Sequence, residues 1–233
     1  MRGRSEAKGK AAAAKEAAKR LKDKQIVGLG SGSTVAQFLK FAAKTIEKRD
    51  LDVSLVPSSS QITLEAKKLN LPLRDLRYVN RVDWAVDGAD EVDPKLRLVK
   101  GGGGALVKER ILAHLAGYYL IVVDEGKVST SIGEKALIPL ETTPHACALV
   151  GSRLKSKGFD YTLRTNERGY PIITENGNTI LDVRMPSDYS PEDFFLEFRI
   201  FPGVLDVGIF LDEADEILVG RADGTTEKML REE

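Results

Sequence analysis

Short apolar runs alternate with stretches of helical periodicity through the first half of the chain. KEAAKRLKDK predicts a helix ahead of the first strand, QIVGLG. Val35, Phe38, Leu39, Ala42 and Ile46 then recur at helical spacing through STVAQFLKFAAKTIEKR, the mark of an amphipathic helix. LDVSLVP predicts a second strand, SSSQITLEAKKLN a second helix start and VDWAVDGAD a third strand. GALVKERILAHLAG predicts a further helix and YYLIVVDEG a fourth strand. Strands that alternate with helices predict a mainly parallel sheet wound with right-handed crossovers, an α/β fold.

After residue 133 the pattern changes. KALIPLET reads as a strand and PHACALVGSRLKSKG as a helix. YTLRTN and a hairpin, YPIITENGNTILDVRM, follow, with the hairpin turning at Asn176-Gly177. SPEDFFLEFRIF is a helix opened by Ser190 and Pro191, and VLDVGIFL and EILVGRADG end the chain. This order predicts a small α+β unit at 134–205, inserted in an α/β domain made of 1–133 and 206–233.

Composition narrows the function class. Lys plus Arg equals Asp plus Glu at 35 each, so the whole molecule has no electrostatic pull toward nucleic acid. The charge is uneven, however: residues 1–24 hold nine basic side chains against Glu6, Glu16 and Asp23, a local +6 balanced by −6 elsewhere. An alanine-rich, solvated helix accounts for that run more simply than a nucleic-acid arm. One cysteine, Cys147, excludes an internal disulfide framework and suits a small core position in a reducing compartment. No signal-like segment or long apolar run is present, so a cytoplasmic protein with no membrane partner is expected.

Four stretches carry candidate chemistry. In GLGSGSTVAQF a strand runs through Gly30, Ser31, Gly32, Ser33 and Thr34 into a helix. Unpaired N–H groups, the helix dipole and hydroxyl donors make such a turn a phosphate cradle. It matches neither the dinucleotide fingerprint nor the P-loop, because Ser33 and Val35 stand where glycine is required and the lysine is missing. VPSSSQIT repeats the strand, hydroxyl, helix order. DWAVDGAD ends a strand at Asp87, Gly88, Ala89 and Asp90, two carboxylates suited to sugar hydroxyls. Glu91 and Asp93 fall in the following loop and are expected to be solvated. Lys100 then precedes Gly101, Gly102, Gly103 and Gly104, a run that makes sense where backbone must approach a ligand or adopt positive φ. Glu109 shares a helix face with Leu106, Ala113 and Ala116. That is expensive unless the carboxylate is used or paired, with Lys108 and Arg110 as adjacent partners. Asp124 and Lys127 put a charged pair at the end of the fourth strand, although Lys127 taken singly reads more simply as a surface lysine. His114 and His145 lie in no ligand pattern, so no metal site is expected.

GLGSGSTVAQF, VPSSSQIT, DGADEVD, KGGGGALVKERI and DEGK, in this order and at these separations, resemble ribose-5-phosphate isomerase of type A over nearly the whole chain. The resemblance implies a Rossmann-like sheet with a ferredoxin-like insert that forms part of a lid or subunit contact. It implies interconversion of ribose 5-phosphate and ribulose 5-phosphate through a cis-enediolate, no metal or organic cofactor, and a homodimer or homotetramer. It assigns proton transfer to Glu109, enediolate stabilisation to Lys100 and the adjoining glycine N–H groups, and sugar hydroxyls to Asp87 and Asp90, with Asp87 assisting ring opening. Ser31 to Thr34 would hold the phosphate and Lys127 would touch substrate. Lys10 aligns only loosely with a phosphate-side lysine, and Gln61 has no role. Departures are small: Gly104 where alanine is frequent, and Ser31 where threonine is frequent. An amino-sugar phosphate isomerase-deaminase would need a histidine in a motif position, and a non-catalytic sugar-phosphate sensor would not need Glu109 and Lys100 together.

Overall fold

A computed structural model describes residues 2–231. The side chains of residues 2–5, and with them the Arg2 and Arg4 charges, lie outside the described residues. In chain order the elements are α1 (Arg2–Ala18), β1 (Ile26–Leu29), α2 (Gly32–Arg49), β2 (Ser54–Pro57), α3 (Ser60–Lys68), β3 (Trp84–Asp87), β4 (Glu91–Val92) and β5 (Leu98–Val99). Then come α4 (Leu106–Leu115), β6 (Tyr119–Asp124), β7 (Ile138–Thr142), α5 (Cys147–Ser156), β8 (Asp160–Leu163), β9 (Thr179–Arg184), α6 (Pro191–Arg199), β10 (Val204–Val207), β11 (Ile209–Phe210), β12 (Glu216–Gly220) and β13 (Thr226–Leu230). They form two compact units. The larger comprises Met1–Ala89, Lys108–Val128 and Asp212–Glu233, and the smaller Asp90–Val107 and Ser129–Leu211. This division differs from the 134–205 boundary read in the sequence. Residues 90–107 join the smaller unit because β5 pairs with β11 and β4 with β5, a three-stranded sheet of very short strands that periodicity could not reveal.

The larger unit is built on a sheet in the order β13-β12-β6-β3-β1-β2, parallel throughout except for the β13 edge. β6 is buried along its whole length, and so reads in the sequence as a continuous apolar run. The order reverses at β1, which has β2 on one side and β3 on the other. The carboxyl ends of β1 and β3 therefore flank a switch point, the place where open α/β sheets bind ligands.

The N-terminal helix differs from its expected solvated state. Ala13, Ala14, Ala17, Ala18 and Leu21 are fully buried in the core with Val35, Phe38 and Leu120. Helix and sheet meet backbone to backbone: a Cβ added at Gly9 would lie 2.6 Å from the Gly220 carbonyl oxygen. The helix stops at Ala18 and not at Lys24. There the bonding tightens to i→i−3 contacts, Lys19 to Glu16 and Arg20 to Ala17. Arg20 then forks onto Glu216 at 2.9 and 2.5 Å.

The smaller unit carries β7-α5-β8-β9-α6-β10, with an antiparallel sheet in the order β10-β7-β9-β8. That is the split β-α-β arrangement of ferredoxin-like units. Phe159, Phe194 and Phe198 fill its core edge to face, with centroids 5.2 and 5.8 Å from Phe159. Ser190 caps α6 by accepting from the Asp193 N–H, and Pro191 begins it, as the sequence indicated. The expected hairpin does not form as read. The turn at Asn176-Gly177 is present, but Tyr170–Thr174 is not a strand, and β9 pairs with β7 and β8. Buried Glu141 explains this: Thr174, Asn176 and Asn178 all donate to its Oε1 at 2.8 to 3.0 Å, which holds the segment as a loop. Cys147 is half-buried, with Sγ 2.9 Å from the Thr179 hydroxyl, a polar setting and not a plain core position.

Candidate active site

In the larger unit, β1 delivers Gly30 and Ser31 directly to the start of α2, and β3 delivers Asp87 beside them. Asp87 is fully buried. Its Oδ1 accepts from the Ser31 N–H at 3.1 Å and the Gly88 N–H at 2.7 Å, and its Oδ2 from the Tyr119 hydroxyl at 2.7 Å. Gly30 is required here because a Cβ would sit 1.8 Å from the Asp87 carboxyl carbon. Ser31 occupies the N-cap of α2 in extended conformation, yet its side chain does not cap the helix. The hydroxyl donates instead to Glu109 Oε1 at 2.6 Å. The N-terminal N–H groups of α2 thus remain uncapped by Ser31, with Ser33 exposed and Thr34 half-buried beside them.

Glu109 lies in the first turn of α4 with 3% of its surface exposed. The neighbouring Arg110 pairs with Glu213. Tyr119, a residue that no motif in the sequence marks, completes the group. Burial, then the Asp87 and Glu109 carboxylates, hold its phenol well above the ordinary value of 10.0. It is therefore a permanent donor to Asp87 near neutral pH. Only its place as first residue of an apolar strand marked it in the sequence.

The smaller unit holds Asp90, Lys100 and the glycine run. Lys100 is 2% exposed, with its N–H on the Gly208 carbonyl and its ammonium 5.8 Å from the centre of the Phe210 ring. Gly101 and Gly104 have φ of +101° and +77°, and the Gly104 N–H closes a turn onto the Gly101 carbonyl at 2.9 Å. Asp90 Oδ2 accepts from the Gly102 N–H at 2.7 Å. Two of the glycine N–H groups expected to face a ligand are therefore engaged within the loop. Among the described residues, those of Gly101 and Gly103 have no partner.

Two acidic expectations need correction. Glu91 and Asp93 are fully buried, not solvated. Glu91 accepts from Ser129 Oγ and from the N–H groups of Gly133, Lys135 and Ala136. Asp93 accepts from Arg97 Nε at 2.7 Å. Both were misread because their donors come from distant segments or lie in a turn. Asp124 and Lys127 do not form the expected pair: Asp124 faces Lys10 at 3.7 Å and accepts from Gly126, while Lys127 is half-buried and makes no ion pair among the described residues. Both histidines are exposed. Among the described residues no cluster of His, Cys, Asp or Glu is arranged to hold a metal, and no helix is long and apolar enough to cross a membrane.

An open sheet with its hydroxyl turn and buried carboxylates at the switch point places the chain among α/β enzymes that meet their ligands at strand ends. Comparison with known proteins gives the family. The sequence model of ribose 5-phosphate isomerase A (phosphoriboisomerase A) matches residues 54–224. Ribose-5-phosphate isomerase A of Thermococcus kodakarensis is 41% identical over 92% of this chain and 95% of its own length. The protein of the same name from Synechococcus sp. is 39% identical over 92% of each. Among solved structures, ribose 5-phosphate isomerase A of Methanocaldococcus jannaschii superposes with a TM-score of 0.89 at 37% identity, covering 95% of this chain and 97% of that one. A D-ribose-5-phosphate isomerase in complex with phospho-erythronic acid superposes at 0.92 with 38% identity, covering 97% and 99%. The chain belongs to the ribose 5-phosphate isomerase A family.

Proposed function

We propose that the chain interconverts D-ribose 5-phosphate and D-ribulose 5-phosphate, a step of the non-oxidative pentose phosphate pathway, by moving one proton between C2 and C1 through a cis-enediolate. The observation that carries the mechanism is the buried Glu109 carboxylate, held by the Ser31 hydroxyl at 2.6 Å beside a second buried carboxylate, Asp87. A base needs a fixed position near the proton it removes and a preorganised set of donors for the oxyanion that develops. Glu109 takes the C2 proton of the open-chain aldose and returns it to C1. Asp87 accepts the C1 hydroxyl proton as the bond from C1 to the ring oxygen breaks and passes it to that oxygen, which becomes the C4 hydroxyl; the C2 hydroxyl proton moves to O1 as the enediolate forms and collapses. Lys100 and the N–H groups of Gly101 and Gly103 stabilise the enediolate oxygen. Gly88, Ala89 and Asp90 hold sugar hydroxyls, Ser31 to Thr34 hold the phosphate at the start of α2, and Lys127 contacts substrate. A phosphorylated sugar acid bound to the related structure is the kind of ligand such an arrangement accepts, a phosphate at one end and an anionic oxygen at the other. No step calls for a metal or an organic cofactor.

The test is Glu109→Gln assayed with ribose 5-phosphate. Turnover is expected to vanish while sugar-phosphate binding stays within severalfold. Near-normal turnover in that variant overturns the mechanism. We further propose a cytoplasmic homo-oligomer, a dimer or tetramer, which sedimentation at micromolar concentration would resolve.

A further inference from the structure

Four successive glycines are the least rigid backbone a chain can offer, yet a donor for a developing oxyanion must be in place before the reaction. The smaller unit resolves that conflict with a side chain far along the sequence. Arg164 donates from Nη1 to the carbonyl oxygens of Gly101 at 2.8 Å and Gly102 at 3.0 Å. Its other face is fixed by Asp182, which accepts from Nε at 2.8 Å and from Nη2 as well. Both side chains are largely enclosed, at 14% and 13% exposure.

These bonds lock two adjacent peptide planes. All peptides here are trans, so each N–H points opposite to the carbonyl of its own plane. The plane joining Gly101 to Gly102 is held at both ends, its oxygen by Arg164 and its N–H by Asp90 at 2.7 Å. The plane joining Gly102 to Gly103 has its oxygen on the same guanidinium, so its N–H points away from Arg164, and that N–H has no partner among the described residues. A cation on the carbonyl also polarises the plane and strengthens its donor. We propose that Arg164, held by Asp182, is a positioning residue for the isomerisation: it fixes the Gly101–Gly103 peptides so that the Gly103 N–H stands as a ready donor to a substrate oxyanion. This rests on the role given above to the glycine loop.

Arg164→Lys keeps the charge and loses the planar guanidinium that holds Asp182 with Nε and Nη2 while Nη1 reaches the two glycine carbonyls. We expect kcat to fall about 10-fold or more with KM for ribose 5-phosphate within about threefold. Affinity for a phosphorylated aldonic acid should weaken in parallel with kcat/KM. The Gly102 amide, protected in the parent by Asp90, should exchange its hydrogen about tenfold faster. Asp182→Asn should move the same quantities in the same direction by less. Turnover within twofold of the parent overturns the proposal, as does a fall in turnover with unchanged Gly102 exchange. Glu109→Gln separates the two claims: if it turns over normally the reaction mechanism fails, while the exchange measurement still decides whether Arg164 fixes the loop.

Discussion

Glu91→Gln exchanges a single atom type at a site where four donors converge. Glu91 Oε1 accepts from Ser129 Oγ at 2.5 Å and the Lys135 N–H at 3.0 Å, and Oε2 from the Gly133 and Ala136 N–H groups at 2.8 and 3.0 Å. Glutamine keeps one acceptor oxygen. With that oxygen on the Gly133 and Ala136 N–H groups, its NH₂ group faces the Ser129 hydroxyl, which can turn to accept, and the Lys135 N–H, which cannot. With hydrogen bonds to a charged acceptor worth about 1.5–3 kcal/mol each, losing the Lys135 bond, leaving its N–H unmet and weakening the others destabilises by about 3 kcal/mol. For a chain of this size that corresponds to a drop in Tm of about 8 °C. The result is large against a total stability of about 5–15 kcal/mol. Scanning calorimetry of parent and variant, with urea unfolding as a second measure, gives the answer. A drop under about 2 °C with an unchanged urea midpoint would show that Glu91 is not the clamp of the 129–136 segment.

Two further outcomes follow from the described contacts. Tyr119→Phe removes one donor from the buried Asp87 carboxylate and should lower kcat for ribose 5-phosphate about fivefold or more; an unchanged kcat would exclude a role for the phenol. Burial acts to raise the pKa of Glu216, but its bonds to Arg20 and Tyr118 outweigh that and leave it below the ordinary 4.5. A carboxyl depressed by folding stabilises fully above its unfolded value and loses that stabilisation as pH falls through its folded value. Arg20→Met should therefore cost about 2 kcal/mol at neutral pH and progressively less below about pH 4, and a difference independent of pH would refute the pairing as its cause.

What was legible in the sequence was local. The strand, turn, helix order placed Ser31, Asp87 and Glu109 on the right elements, and a glycine before Ser31 matches the space that Asp87 leaves at position 30. Groups whose surroundings come from far along the chain could not be read. Glu91 reads as solvated in the sequence because its four donors lie 38 to 45 residues away. Tyr119 is hidden in an apolar strand, and Arg164 is one polar residue of YTLRTN with nothing local to point to Gly101, 63 residues earlier. β13 was missed because an exposed edge strand needs no apolar face and leaves no strong alternation.

The buried alanine face of α1 has a consequence for how the molecule behaves as a colloid. The first 24 residues carry +6 and the rest carry −6. Arg20 and Lys10 of that segment face Glu216 and Asp124, and Lys24 faces Asp52. The N-terminal segment thus serves as a built-in counterion for the body of the protein. Cutting it away would bare an apolar sheet face and at the same moment shift a near-neutral particle, of pI about 6.8, to a strongly acidic one. Solubility, ion-exchange behaviour and shelf stability should therefore respond to the same cut.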